Sequence, residues 1–242
     1  MKRMLLPLMV LLAACEAEQW DDCITSSGPE RVEERAVGAF QRVVLEDRVD
    51  LVLEDRAAGT VAVAAGGNLM DQIVTEAEGG MLTVRNENRC NWVRSFKPRI
   101  TVHVPLQAVV ELELRGTGDV HAADTVRHQV FRIEQRNAQG TVELPLAVDT
   151  CYVGLHTGAG DVRLAGRCGV AYLYSGFMGP IDAGELAAQE VNVNNSGVAD
   201  IICRAQQRLN AQLFDVGDVR YYGDPVVQAT VSGSGQVVRL GP

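Results

Sequence analysis

The stretch LELRGTGDV, residues 112–120, decides the fold. Leu112 and Leu114 alternate with polar residues, run into a glycine-bearing turn, and the turn closes on Asp119 followed by Val120. The same event recurs as NAQGTV (137–142), TGAGDV (157–162), SGFMGPI (175–181), SGVADI (196–201), DVGDV (215–219) and SGSGQV (232–237). The first apolar residues after these turns are Val120, Val142, Val162, Ile181, Ile201, Val219 and Val237, separated by 22, 20, 19, 20, 18 and 18 residues. A period near 19 with short alternating runs between turns predicts a parallel β-solenoid, in which each coil lays its inward side chains on the coil beneath. Seven coils at about 4.8 Å each make a rod on the order of 30 Å long. Period-two alternation excludes helical repeats. The calcium-binding nonapeptide repeat is excluded too, because its glycines recur every nine residues. Glycine suits the corners because a sharp bend needs either a positive φ or a close backbone approach.

Upstream, the alternation continues at Leu51 and Leu53, Val61 and Val63, Leu82 and Val84, and Ile100, Val102 and Val104, with bends at Gly66, Gly67, Gly79 and Gly80. These are expected to be additional strands with one buried face. The whole chain of 242 residues is 47% hydrophobic and only 5% aromatic, with 24 glycines against 8 prolines. That composition excludes disorder and suits many short strands closed by tight turns. A formal charge of -9 without a basic block argues against a nucleic-acid partner.

The N-terminus carries Lys2 and Arg3, an apolar run over residues 4–12, then Ala13, Ala14 and Cys15. This is the layout of a secretory signal; the run is too short to span a bilayer, which takes about 20 residues. The string LLAAC resembles the lipobox of bacterial lipoproteins, which implies a signal peptide over residues 1–14, a lipid on Cys15 that anchors the protein to a membrane, and, with Glu16 following, an outer-membrane destination, facing either the periplasm or the cell surface. Residues 15–36, rich in Glu and Asp with Ser26, Ser27, Gly28 and Pro29 among them, read as an acidic flexible tether. The domain proper is expected over residues 37–242.

Within that span the chain resembles the head GIN domain family of putative auto-transporter adhesins. The carriers are FQRVVLEDRVDLVLE (40–54), LTVRNE (82–87), ITVHVP (100–105), LELRGTGDV, the recurring SG and TG turns, and GDVRYYGDP (217–225) followed by VSGSGQV (231–237). The resemblance implies a right-handed parallel β-helix, a signal peptide or lipoprotein anchor, and a place in the cell envelope. It implies no catalytic residue. The corner at Phe177, Met178 and Pro180 departs from the family's usual turn.

Enzyme templates are empty: there is no GxSxG elbow, HExxH or phosphate-binding loop, and His103, His121, His128 and His156 lack a common ligand spacing, so neither metal nor other cofactor is expected. Asp119, Asp161, Asp200 and Asp218 share one turn position, but Thr141 and Pro180 interrupt the row, so each is read as a cap on local backbone N–H groups. If Val153, Leu173, Val193 and Leu213 point inward, alternation sends Tyr152, His156, Tyr172, Tyr174, Asn192, Asn194, Gln212 and Phe214 outward on adjacent coils. Such a strip offers aromatic faces and amides to a carbohydrate or protein partner of the envelope or host. The same residue types also sit well in stacked strands, and both readings stay open. A basic and aromatic stretch, Arg89, Trp92, Arg94, Phe96, Lys97 and Arg99, is expected to cover an open end of the core.

In an oxidising compartment the cysteines are free to pair. Cys151 and Cys168 fall near the same corner of neighbouring coils, which makes a bridge feasible, and Cys23 is then left to pin the tether to Cys90; Cys203 points inward as a small core residue. The expected function is a lipid-anchored, non-catalytic binding or adhesion module. A carbohydrate-active enzyme on the same fold and a purely structural envelope protein are the alternatives.

Overall fold

The computed structural model describes residues 26–89 and 99–242. The expected signal peptide, Cys15, Cys23, Cys90, and Trp92, Arg94, Phe96 and Lys97 of the basic stretch lie outside the described residues. In chain order the strands are β1 (Glu30–Ala36), β2 (Arg42–Leu45), β3 (Asp50–Glu54), β4 (Thr60–Gly66), β5 (Ile73–Glu78), β6 (Met81–Asn86), β7 (Thr101–Pro105), β8 (Glu111–Leu114), β9 (Val120–Ala122), β10 (Val126–Ala138), β11 (Thr141–Gly158), β12 (Asp161–Ser175), β13 (Ile181–Asn195), β14 (Ile201–Leu213), β15 (Val219–Tyr222), β16 (Val226–Val231) and β17 (Val237–Gly241). Among the described residues one short 3-10 turn, Met70–Gln72, interrupts them.

The seven anchors are register partners in unbroken succession: Val120 with Val142, Val142 with Val162, Val162 with Ile181, Ile181 with Ile201, Ile201 with Val219, and Val219 with Val237. Every pairing from β8 and β9 onward is parallel, so the molecule is the expected β-helix, with the Phe177 corner in step. Except for Val237, which is half-buried, the anchors are fully buried. Each such side chain contributes about 1.5–3 kcal/mol against the cost of ordering the chain. Long strands pair with interruptions: β13 meets β14 in three runs, 181–183, 187–188 and 190–195, separated by register shifts.

The corner glycines are required by close approach. A Cβ on Gly140 would sit 1.8 Å from the carbonyl oxygen of Gly118, and one on Gly118 would sit 1.7 Å from that of Val49. Stacked turns leave no room there for a side chain.

The N-terminal half departs from sequence order. Strands β2 and β3 lie between β6 and β7 on one side and β8 and β9 on the other, so that Leu51 pairs with both Val102 and Val120. The coil formed later in the chain is therefore the outer one. Its edges are covered by antiparallel pairing, β5 on β6 and β4 on β7, and β4 in turn takes β1. This corrects the tether boundary: residues 30–36 are an edge strand, in register from Glu30 with Gly66 to Ala36 with Thr60. Its side chains are mostly exposed, so backbone pairing rather than apolar burial holds it, and no hydrophobic pattern marks it.

The turn aspartates cap backbone N–H groups, but those of the next coil rather than their own turn. Asp119 accepts from Thr141 N at 3.0 Å, Asp200 from Asp218 N at 3.0 Å, and Asp218 from Gln236 N at 2.9 Å. Asp161 instead accepts from the Thr141 hydroxyl at 2.8 Å.

The Cys151–Cys168 bridge is also corrected: Cys151, Cys168 and Cys203 are all free, buried thiols. Cys151 stands opposite Ala171 while Cys168 stands opposite Val148, a three-residue offset that keeps the two from facing each other across the ladder. Burial pushes the Cys168 thiol up to about 11 and Cys203 up to about 12, and raises Cys151 further, which makes them inert core residues.

Candidate functional site

The C-terminal parts of the long strands β10 to β14 carry two outward columns. In the first, Arg132, Tyr152, Tyr172, Asn192 and Asn210 are successive register partners; in the second, two residues further on, come Glu134, Gly154, Tyr174, Asn194 and Gln212. Between them Ile133, Val153, Leu173, Val193 and Ala211 point into the core. Parallel stacking thus brings residues about one period apart in sequence to neighbouring rungs.

The first column is a stack. The guanidinium of Arg132 lies 4.2 Å from the centre of the Tyr152 ring, and the Tyr152 and Tyr172 rings are 4.9 Å apart with planes 7° from parallel. Each ring therefore covers one face of the other. The aromatic faces are turned along the axis of the solenoid, not flat toward solvent as a simple strip would have them, and the open face is that of Tyr172 toward Asn192. There the tall rings give way to short amides. Asn210 Nδ2 donates to Asn192 Oδ1 at 2.9 Å, continuing the ladder below the step.

The second column opens at Gly154. A Cβ there would lie 2.6 Å from Glu134 Oε2 and 3.0 Å from His156 Nε2, so the missing side chain leaves the space in which these two meet. His156 Nε2 donates to Glu134 Oε2 at 2.6 Å, Arg132 Nη1 donates to Glu134 Oε1 at 3.3 Å, and the His156 ring tilts against Tyr174 at 5.3 Å. Together the columns border a groove of about 370 Å³.

Seven of the eight residues singled out from the sequence line this groove: Tyr152, His156, Tyr172, Tyr174, Asn192, Asn194 and Gln212. Phe214 does not. It is exposed but sits past the end of β14, at the corner before the next turn. The sequence reading missed Arg132, Glu134 and Asn210, although Arg132 and Glu134 lie one period before Tyr152 and Gly154, and Asn210 one period after Asn192. The other histidines are dispersed, His103 beside Glu54 at 3.0 Å and His121 beside Glu143 at 3.6 Å. Among the described residues no three potential metal ligands gather.

A family model described as "Putative auto-transporter adhesin, head GIN domain" matches residues 39–225. The chain belongs to this head GIN family. Three solved structures share the head GIN fold seen here. A putative adhesin from Bacteroides fragilis NCTC 9343 is 24% identical, with a TM-score of 0.79 over 89% of this chain and 100% of its own. A putative lipid binding protein from Parabacteroides distasonis ATCC 8503 is 21% identical, with a TM-score of 0.62 over 88% of this chain and 97% of its own. A putative adhesin from Parabacteroides merdae ATCC 43184 is 18% identical, with a TM-score of 0.64 over 89% of this chain and 98% of its own. No curated protein matches the head GIN chain. Among the described residues no helix is long and apolar enough to cross a membrane.

Proposed function

We propose that this chain is a non-catalytic recognition module of the bacterial outer membrane, anchored through lipid on Cys15, with the Tyr152–Tyr172 groove as its binding surface. The observation that carries the reading is the groove's construction: outward-facing rings and amides occupy equivalent places on successive coils, where a solenoid without a ligand needs only soluble side chains. Its family favours an adhesion-type role at the envelope. Binding is favoured over turnover because the groove is lined by one carboxylate, Glu134, already engaged by His156 and Arg132, whereas glycoside hydrolysis ordinarily uses two acids flanking the scissile bond.

One experiment on intact cells tests both parts. Cells carrying the Tyr152→Ala, Tyr172→Ala double variant are expected to bind envelope and host-surface preparations about tenfold more weakly than wild type, at equal surface abundance. Undiminished binding would remove the groove from the function. In the same cells Cys15→Ser is expected to lose acyl labelling and to leave the membrane fraction; retention of both would refute the lipid anchor.

A further inference from the structure

The geometry points to a class of ligand: an uncharged saccharide with one sugar ring seated on the open face of Tyr172 and its chain crossing the solenoid axis. This rests on the reading of the groove as the recognition surface and deepens it. Three observations lead there.

The first is the step in the first column. Tyr152 has Arg132 on one side and Tyr172 on the other, but Tyr172 has a ring on one side only, and it is 41% exposed. The next partner, Asn192, is too short to cover the vacant face. A pyranose ring presents a C–H face of matching size and would continue the stack as its next member.

The second is the floor beneath that slot. In the Asn192–Asn210 bond one amide uses its donor side and the other its acceptor side, so this bond leaves over one whole NH2 group and one carbonyl, whichever way the two amides are turned. Asn194 Oδ1 accepts from the Ser196 hydroxyl, leaving its amide N–H groups to the groove beside Gln212. Mixed donors and acceptors fit hydroxyl groups, which serve as both.

The third is what the sheet and its charges exclude. A peptide added as a strand needs a free sheet edge, and these columns are on mid-sheet strands paired on both sides. Arg132 and Glu134 neutralise one another, which leaves no cation committed to an acidic sugar.

The purified protein is titrated calorimetrically with cellohexaose, chitohexaose and maltohexaose, and with an acidic hexagalacturonate. At least one of the neutral hexasaccharides is expected to bind about tenfold more tightly than the acidic one. Tyr172→Ala is expected to cost about tenfold in affinity and Asn192→Ala or Asn210→Ala about threefold, while Tyr172→Phe, which keeps the ring face, stays near wild type. Thermal melts of each variant exclude loss of fold. Equal binding of the acidic sugar, or affinity for a neutral hexasaccharide that survives Tyr172→Ala, overturns the proposal. Should no neutral sugar bind while cell adhesion still depends on Tyr152 and Tyr172, the saccharide assignment falls and the recognition surface stands, with a protein partner in its place. If adhesion is independent of both tyrosines, the two readings fall together.

Discussion

Glu113 is a buried carboxylate on a surface where most acids are exposed, and it is held by Arg42 and Arg115 with Arg136 at 3.9 Å. Burial opposes its ionisation, but the hydrogen bonds and charges of Arg115 and Arg42 outweigh that and hold its pKa below the usual glutamate range. Glu54 and Asp119 are lowered in the same sense: burial works against each charge, and Arg56 and His103 for Glu54, or Thr141 N–H and Arg99 for Asp119, overcome it. A carboxyl whose folded pKa is depressed stabilises the fold above its unfolded value, about 4.3 for Glu, and loses that contribution as pH falls through the folded value. The melting temperature is therefore expected to fall as pH is lowered from 6 toward 3, and Glu113→Gln is expected to flatten that dependence while costing about 1–3 kcal/mol at neutral pH. A pH series of melts in which the variant and wild type fall in parallel would show that Glu113 plays no such part.

At the scale of the turn, two features let one coil sit on the next: a glycine where backbones nearly touch, and an aspartate whose oxygen closes the next coil's N–H. Asp200 serves Asp218 N and is also 3.3 Å from Arg220. If the cap is what matters, Asp200→Asn keeps it and Asp200→Ala loses about 1 kcal/mol, since an exposed ion pair adds little. Urea denaturation of the two variants decides; equal losses would assign the effect to charge. The aspartates were legible in the sequence as caps, but their partners were not, because an N–H group 18 to 22 residues away becomes a neighbour only when coils stack.

Across the whole molecule, stability of a solenoid is built from each coil and its two neighbours. Coils β11 to β13 have a partner above and below along most of their length, while β16 pairs with β14 and its side chains are all exposed. Amide exchange is accordingly expected to be slowest in β11 to β13 and markedly faster in β16, with β1, an exposed edge strand, also fast. Uniform protection across these strands would mean that the chain opens as one unit.

The sequence by itself determined the anchors from Val120 to Val237, the inward and outward faces, and most of the groove, because alternation and a near-constant period are local properties that stacking merely superimposes. Only the tertiary structure decided that β2 and β3 slip between later strands, that residues 30–36 join the sheet, that Cys151 and Cys168 miss each other, and that Gly154 makes room for Glu134 and His156. Each of these depends on which backbone lies beside which and in what register. That choice is made by packing between segments far apart in the chain, and no local pattern records it.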